Sequence, residues 1–206
     1  MIDYINDDII AVAHQLLGSL VIHEVNGTVL KARIVDVECY LGDMDAASHA
    51  YKGRRTQRMD AMFLPGGHLY LYTMRGLTLC NLVCGDTEQG IGIMLRALEP
   101  VEGIDTMEKL RNSNGVNLTN GPAKLCEAMG ITMALYGTKI GDEIRIDDTD
   151  RWIPKEIIAL PRIGIPNKGE WTDKALRFVV KGNPYISNIS KKDIDEDYGW
   201  LKGPVK

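Results

Sequence analysis

The sequence predicts an α+β fold: a single domain with a curved, mostly antiparallel β-sheet, partly open and barrel-like, flanked by helices. Three observations predict it. Strand-like runs outnumber helical ones, and they lack the strict strand–helix alternation of a parallel doubly wound sheet. A chain of 206 residues with ordinary apolar and charged fractions suits one sizeable core. No internal repeat, low-complexity linker or composition break marks a boundary, so 1–206 reads as one domain with a polar tail from about residue 191.

The elements follow in order. Asn6 or Asp7 can cap a helix that carries Ile9, Ile10, Val12, Ala13, Leu16 and Leu17 on its apolar face, with Gly18 as its stop. Leu20–Glu24, the Asn26-Gly27 pair and the run from Thr28 to Leu41 spell a hairpin with a primed turn. Within that run Asp36, Glu38 and Tyr40 share one face and Val35, Val37 and Cys39 the other. A strand over 67–74 sets His68, Tyr70 and Tyr72 on a common face, and one over 92–98 carries Arg96 inside an apolar run. Asp105 or Thr106 opens a helix to Arg111. Asn120 can cap another, with Pro122 near its start and Gly130 as its stop. Short strands near 143–146, 157–160 and 176–180 complete the pattern.

Composition narrows the function classes. No segment approaches the roughly 20 apolar residues that span a bilayer, and the N-terminus has no basic region followed by an apolar run, so a soluble, unprocessed cytoplasmic protein is expected. Cys39, Cys80, Cys84 and Cys126 lack metal-ligand spacing and read as free thiols. A net charge of −4 argues mildly against a polyanionic partner unless a local basic patch exists. One does: Lys52, Arg54, Arg55 and Arg58 fall close together with no acid among them. Such a run also reads as a solvated loop. Lys124, at the start of its helix, is a second candidate seat for a phosphate.

A carboxylate beside tyrosines on one strand face, with an arginine on another strand, suits a site where water attacks an electrophilic carbon. By spacing alone Glu38 reads equally as a structural partner of Arg33 or Arg96. Tyr40, Tyr70 and Tyr72 read more readily as core or rim residues than as stacking platforms, and His49 alone is weak evidence. Asp36, Glu38, Asp43 and Asp45 could instead form a magnesium cage, which would make the chain a metal-dependent nuclease.

The residues also carry a resemblance. The run 34–42 (Ile-Val-Asp-Val-Glu-Cys-Tyr-Leu-Gly), then Asp45 to His49 and Gly53 to Arg58, closely resembles the active-site segment of the 3-methyladenine (alkyladenine) DNA glycosylases. Pro65 to Tyr72, Leu95 to Pro100, Asn120 to Cys126, Gly169 to Trp171 and 176–185 match in order, so the resemblance covers nearly the whole chain. It implies a base-flipping enzyme without metal or cofactor, acting as a monomer on double-stranded DNA with damaged purines, nucleoid-associated in a bacterium. Glu38 would be the general base and Arg96 would help hold the water and the flipped nucleotide. Tyr40, His49 and Tyr72 would line the base pocket, with the purine stacked between Tyr40 or His49 on one side and Tyr72 on the other. A damage-binding protein of the same fold without turnover is the remaining alternative. Two positions depart from the family pattern. Arg75 stands where a tyrosine wedge is usual, on the strand face opposite Tyr70 and Tyr72. Asn81 lies one residue earlier than the usual asparagine and is expected to face away from the pocket.

Overall fold

The computed structural model describes residues 1–201. Its eight strands are β1 (Leu20–Val25), β2 (Thr28–Leu41), β3 (Leu69–Met74), β4 (Leu77–Cys84), β5 (Ile91–Glu102), β6 (Ile144–Asp147), β7 (Ile157–Leu160) and β8 (Arg177–Val180). They form one curled, wholly antiparallel sheet in the order β3-β4-β5-β2-β1-β6, and β8 joins β2 and carries β7. The helices are α1 (Ile9–Leu16), α2 (Ile104–Arg111) and α3 (Pro122–Ala128), with several 3₁₀ turns. The expected α+β single domain is what the chain forms.

The 14-residue strand β2 is the spine. β5 pairs with it from Lys31 to Leu41, while β1 takes Thr28 to Arg33 and β8 the stretch Asp36 to Glu38. Its register against β5 slips between Ile34 and Val37, and such bulges bend a strand locally. Every β2 residue from Ala32 to Cys39 is buried. The core joins Val12, Leu16, Leu30, Val35, Leu71, Leu82, Ile93, Leu98, Met107 and Leu125. A second cluster of Met59, Met62, Phe63, Tyr70 and Val83 lies under the 3₁₀ segment Gln57–Phe63.

The β1–β2 turn is the predicted primed turn, with φ of 51° at Asn26 and 77° at Gly27. Gly18 sits at φ 92°, and a Cβ there would lie 1.9 Å from Trp152 O, so only glycine fits. Two caps differ by one residue from expectation. Asp8, not Asn6 or Asp7, caps α1 by accepting the Ile10 N–H at 2.9 Å, because its side chain is the one within reach of the first turn. Gly121, not Asn120, is the α3 N-cap, and Asn120 Oδ1 instead accepts Lys124 Nζ at 2.7 Å. In the segment beyond residue 191, Trp200 is buried, edge-on to Trp152, and donates Nε1–H to Glu99 at 2.8 Å. No helix among the described residues is long and apolar enough to cross a membrane.

Candidate active site

Register builds the site. Tyr70 on β3 faces Asn81 on β4, Asn81 faces Met94 on β5, and Met94 faces Glu38 on β2. Directly paired residues of antiparallel strands share a face. The two-residue period then adds Tyr72 with its partner Leu79, Arg96 beyond Met94, and Tyr40 beyond Glu38. Against this face lies a cavity of about 400 Å³ lined by Tyr40, His49, Tyr70, Tyr72, Asn81, Met94 and Arg96, closed by Pro122 and by Ile163 to Ile165. A larger groove of about 920 Å³, between the N-terminal residues and β6, contains none of the predicted site residues.

Glu38 is fully buried behind that wall. Its Oε1 lies 3.2 Å from Arg96 Nη1 and accepts the Ile163 N–H at 2.8 Å, while Oε2 accepts the Tyr40 hydroxyl at 2.8 Å. Burial pushes the carboxyl pKa up, and Arg96, the Ile163 amide and Tyr40 pull against that shift without cancelling it. Of the two arginines the spacing left open, Arg96 is the partner. Arg33 pairs with Asp150 at 3.1 Å and stacks on Trp152.

The aromatic wall is tightly interlocked. His49 Nδ1 is 2.8 Å from the Tyr70 hydroxyl, and the His49 and Tyr72 rings meet nearly edge-on at 4.6 Å. Burial, with Arg54 nearby, lowers the His49 pKa, which favours a neutral ring. Burial and the nearby Glu38 push the Tyr72 phenol up to about 12. A base stacked between two rings needs roughly 7 Å between them, twice a van der Waals contact. His49 and Tyr72 therefore cannot hold a base between them, which removes one of the two arrangements expected and leaves the one with Tyr40 opposite Tyr72. Tyr40, on β2, lines the same cavity.

Three further expectations are corrected. Asn81 faces the cavity, donating Nδ2–H to Tyr70 O at 3.1 Å, because its cross-strand pairing with Tyr70 puts both on one face. Arg75 lies on neither strand face. With Gly76 it forms the exposed β3–β4 turn, at φ 53° and 80° respectively, flanked by the exposed Met74 and Leu77. His68 precedes β3 and turns its Nδ1 to Pro65 O at 2.8 Å, outside the cavity lining.

The magnesium-cage reading loses two of its carboxylates. Asp36 receives Arg177 through two bonds of 2.9 and 2.7 Å, and Asp45 receives Arg162 through two of 2.5 and 2.9 Å, all four side chains buried. A carboxylate satisfied bidentately by a guanidinium has little capacity left for a cation. Among the described residues no group of three or more metal-ligating side chains converges.

The basic residues lie apart from the cavity. Lys52, Arg54, Arg55 and Arg58 are all exposed, on two short 3₁₀ turns and the link between them. Arg55 is neutralised within the chain by Asp60 at 3.2 Å and by Glu88, and stacks on Phe63. Lys124 lies two residues past Pro122, its ammonium held by Asn120, and partial burial and Arg111 lower its pKa. Met94, Leu79, Arg162 and the Ile163 to Ile165 wall carry no signal in the sequence that marks them as part of the site. Met94 and Leu79 stand in apolar runs, and the other segment follows β7 with no periodicity to mark it.

In sequence the chain is similar to proteins of one known family. The family model described as "Methylpurine-DNA glycosylase (MPG)" matches residues 3–184. Three relatives share the name "Putative 3-methyladenine DNA glycosylase". The one from Enterococcus faecalis is 48% identical over 192 residues, covering 92% of this chain and 84% of that protein. The one from Staphylococcus saprophyticus is 42% identical over 200 residues, with coverages of 96% and 98%. The one from Staphylococcus aureus is 41% identical over 192 residues, with 93% and 95%. The chain belongs to the methylpurine-DNA glycosylase family of DNA repair proteins.

Proposed function

We propose that the chain is a monofunctional purine DNA glycosylase, acting as a monomer, that flips a damaged purine into the 400 Å³ cavity and hydrolyses its N-glycosidic bond, leaving an abasic site. The observation that carries this is Glu38: a buried carboxyl of raised pKa, oriented by Arg96, Tyr40 and Ile163 at the back of an aromatic cavity. A base whose pKa approaches the working pH activates water most effectively. Arg96 Nε is buried with an N–H that has no acceptor, which suits a second hydrogen bond to water or nucleotide.

The purine stacks between Tyr40 and the His49–Tyr72 pair. Alkylation makes the base cationic and a good leaving group, so electron-rich rings and one base suffice. None of the cavity-lining residues is a lysine, in keeping with hydrolysis by water rather than through a Schiff base. Arg75 fills the gap behind the flipped nucleotide, since a guanidinium stacks on bases while its charge lies among phosphates. Lys52, Arg54, Arg58 and Lys124 grip the backbone, with Arg55 contributing less because it is already paired.

The test is single-turnover base release from duplexes carrying 3-methyladenine, 7-methylguanine, hypoxanthine or ethenoadenine, with and without EDTA. Release of free base that persists in EDTA supports the reading. Strand cleavage that the chelator abolishes, or binding without release, contradicts it.

A further inference from the structure

A buried ion pair outside the cavity gathers three of its walls. Arg162 Nη1 donates to Asp45 Oδ2 at 2.5 Å and to Cys39 O at 2.9 Å, and Nη2 donates to Asp45 Oδ1 at 2.9 Å. Both side chains are fully buried. The guanidinium carbon lies 4.7 Å from the centroid of the Tyr40 ring. The Asp45 carboxylate also accepts the Leu41 N–H at 3.1 Å and the Ala47 N–H at 2.9 Å, which fixes the end of β2 and the loop leading to His49. The residue after Arg162 is Ile163, whose N–H is donated to Glu38. One pair thus ties together the strand end bearing Tyr40, the loop bearing Ala47 and His49, and the Ile163 to Ile165 wall.

Cohesion is a weak explanation for such a pair. Desolvating two charges costs so much that apolar side chains of similar volume often hold a core equally well. A bidentate guanidinium–carboxylate pair does better at fixing one geometry. We propose that Arg162 and Asp45 are positioning residues for base excision: their pair sets the 162–165 segment against β2 so that the Ile163 amide orients Glu38 and the guanidinium backs the Tyr40 ring. This rests on the reading of Glu38 as the base.

The consequence can be measured. A donor to a carboxylate favours its ionised form, so a misplaced Ile163 amide leaves Glu38 protonated at higher pH and freer to turn. Hydrogen bonds to charged groups are worth on the order of ten- to a hundredfold in an equilibrium constant. Arg162→Lys keeps a charge opposite Asp45, but one ammonium cannot span both carboxylate oxygens and Cys39 O or stack on Tyr40. Asp45→Asn keeps the shape and removes the charge. Single-turnover base release would be followed across pH for both variants, the parent and Glu38→Gln, together with thermal melting. The expected result is folded variants whose release at neutral pH falls roughly tenfold or more, with the acid-side limb of the profile moved to higher pH. Parental rates, or a rate loss with an unmoved limb, would overturn the proposal. So would failure of both variants to fold, since the pair would then be a determinant of the fold itself. Parental release by Glu38→Gln would instead bring down the assignment of the base, so the two failures are distinguishable.

Discussion

Arg96 Nη1 and the Ile163 N–H converge on one oxygen of Glu38, at 3.2 and 2.8 Å, yet burial still holds the carboxyl above its ordinary value of 4.5. The folded state therefore binds the Glu38 proton more tightly than the unfolded state does. Stability contributed by this group is full below the unfolded value and is lost as pH rises through the raised folded value. Glutamine at this position does not titrate. The melting temperature of Glu38→Gln relative to the parent is expected to rise as pH climbs from about 4, checked by calorimetry at a series of pH values. A constant difference would mean that Arg96 and the amide fully offset the burial.

The turn at Arg75 separates stability from function. A non-glycine residue at φ 53° is strained, and asparagine before glycine is the preferred pair for a primed turn. Arg75→Asn is expected to stabilise the fold by on the order of 1 kcal/mol, seen as a higher melting temperature. It should also weaken flipping, read from the fluorescence of 2-aminopurine beside the lesion, whereas Arg75→Tyr should preserve flipping with a weaker salt dependence. Unimpaired flipping in Arg75→Asn would transfer the wedge to the exposed Met74 or Leu77.

The basic residues should not contribute equally. Arg54→Ala and Arg58→Ala are each expected to lower the salt slope of duplex binding by about one unit and to weaken all sequences alike. Arg55→Ala should lower it by less, because Asp60 and Glu88 already neutralise that guanidinium. Filter binding over a salt series measures all three, and equal slopes for parent and variants would return the segment to a solvated loop.

How much of this was legible in the sequence depended on the range of the interaction. The alternation of β2 placed Glu38 and Tyr40 on one face, and Asn26-Gly27 fixed the first hairpin, since both are local patterns. β4 is buried on both faces beyond its first residues, so it shows no alternation, and the outlook of Asn81 had to come from its pairing with Tyr70. Arg75 was placed on a strand because the primed turn there lacks the asparagine that marks the first one. Arg162 meets Asp45 across 117 residues of chain and Ile163 meets Glu38 across 125, contacts that no local periodicity encodes. The edge-on packing of His49 against Tyr72 likewise depends on tertiary placement.

The central claim is that Glu38 activates the water that releases the base. Glu38→Gln keeps the size of the side chain, and its carbonyl oxygen can still accept from Arg96 and Ile163 while its amide nitrogen donates to the Tyr40 hydroxyl, but it cannot take a proton. Single-turnover base release from a lesion-bearing duplex, at enzyme concentrations that saturate binding, isolates that step. Release is expected to fall by at least about 100-fold while affinity for the lesion duplex is retained. Release within a few-fold of the parent, with binding intact, would contradict it.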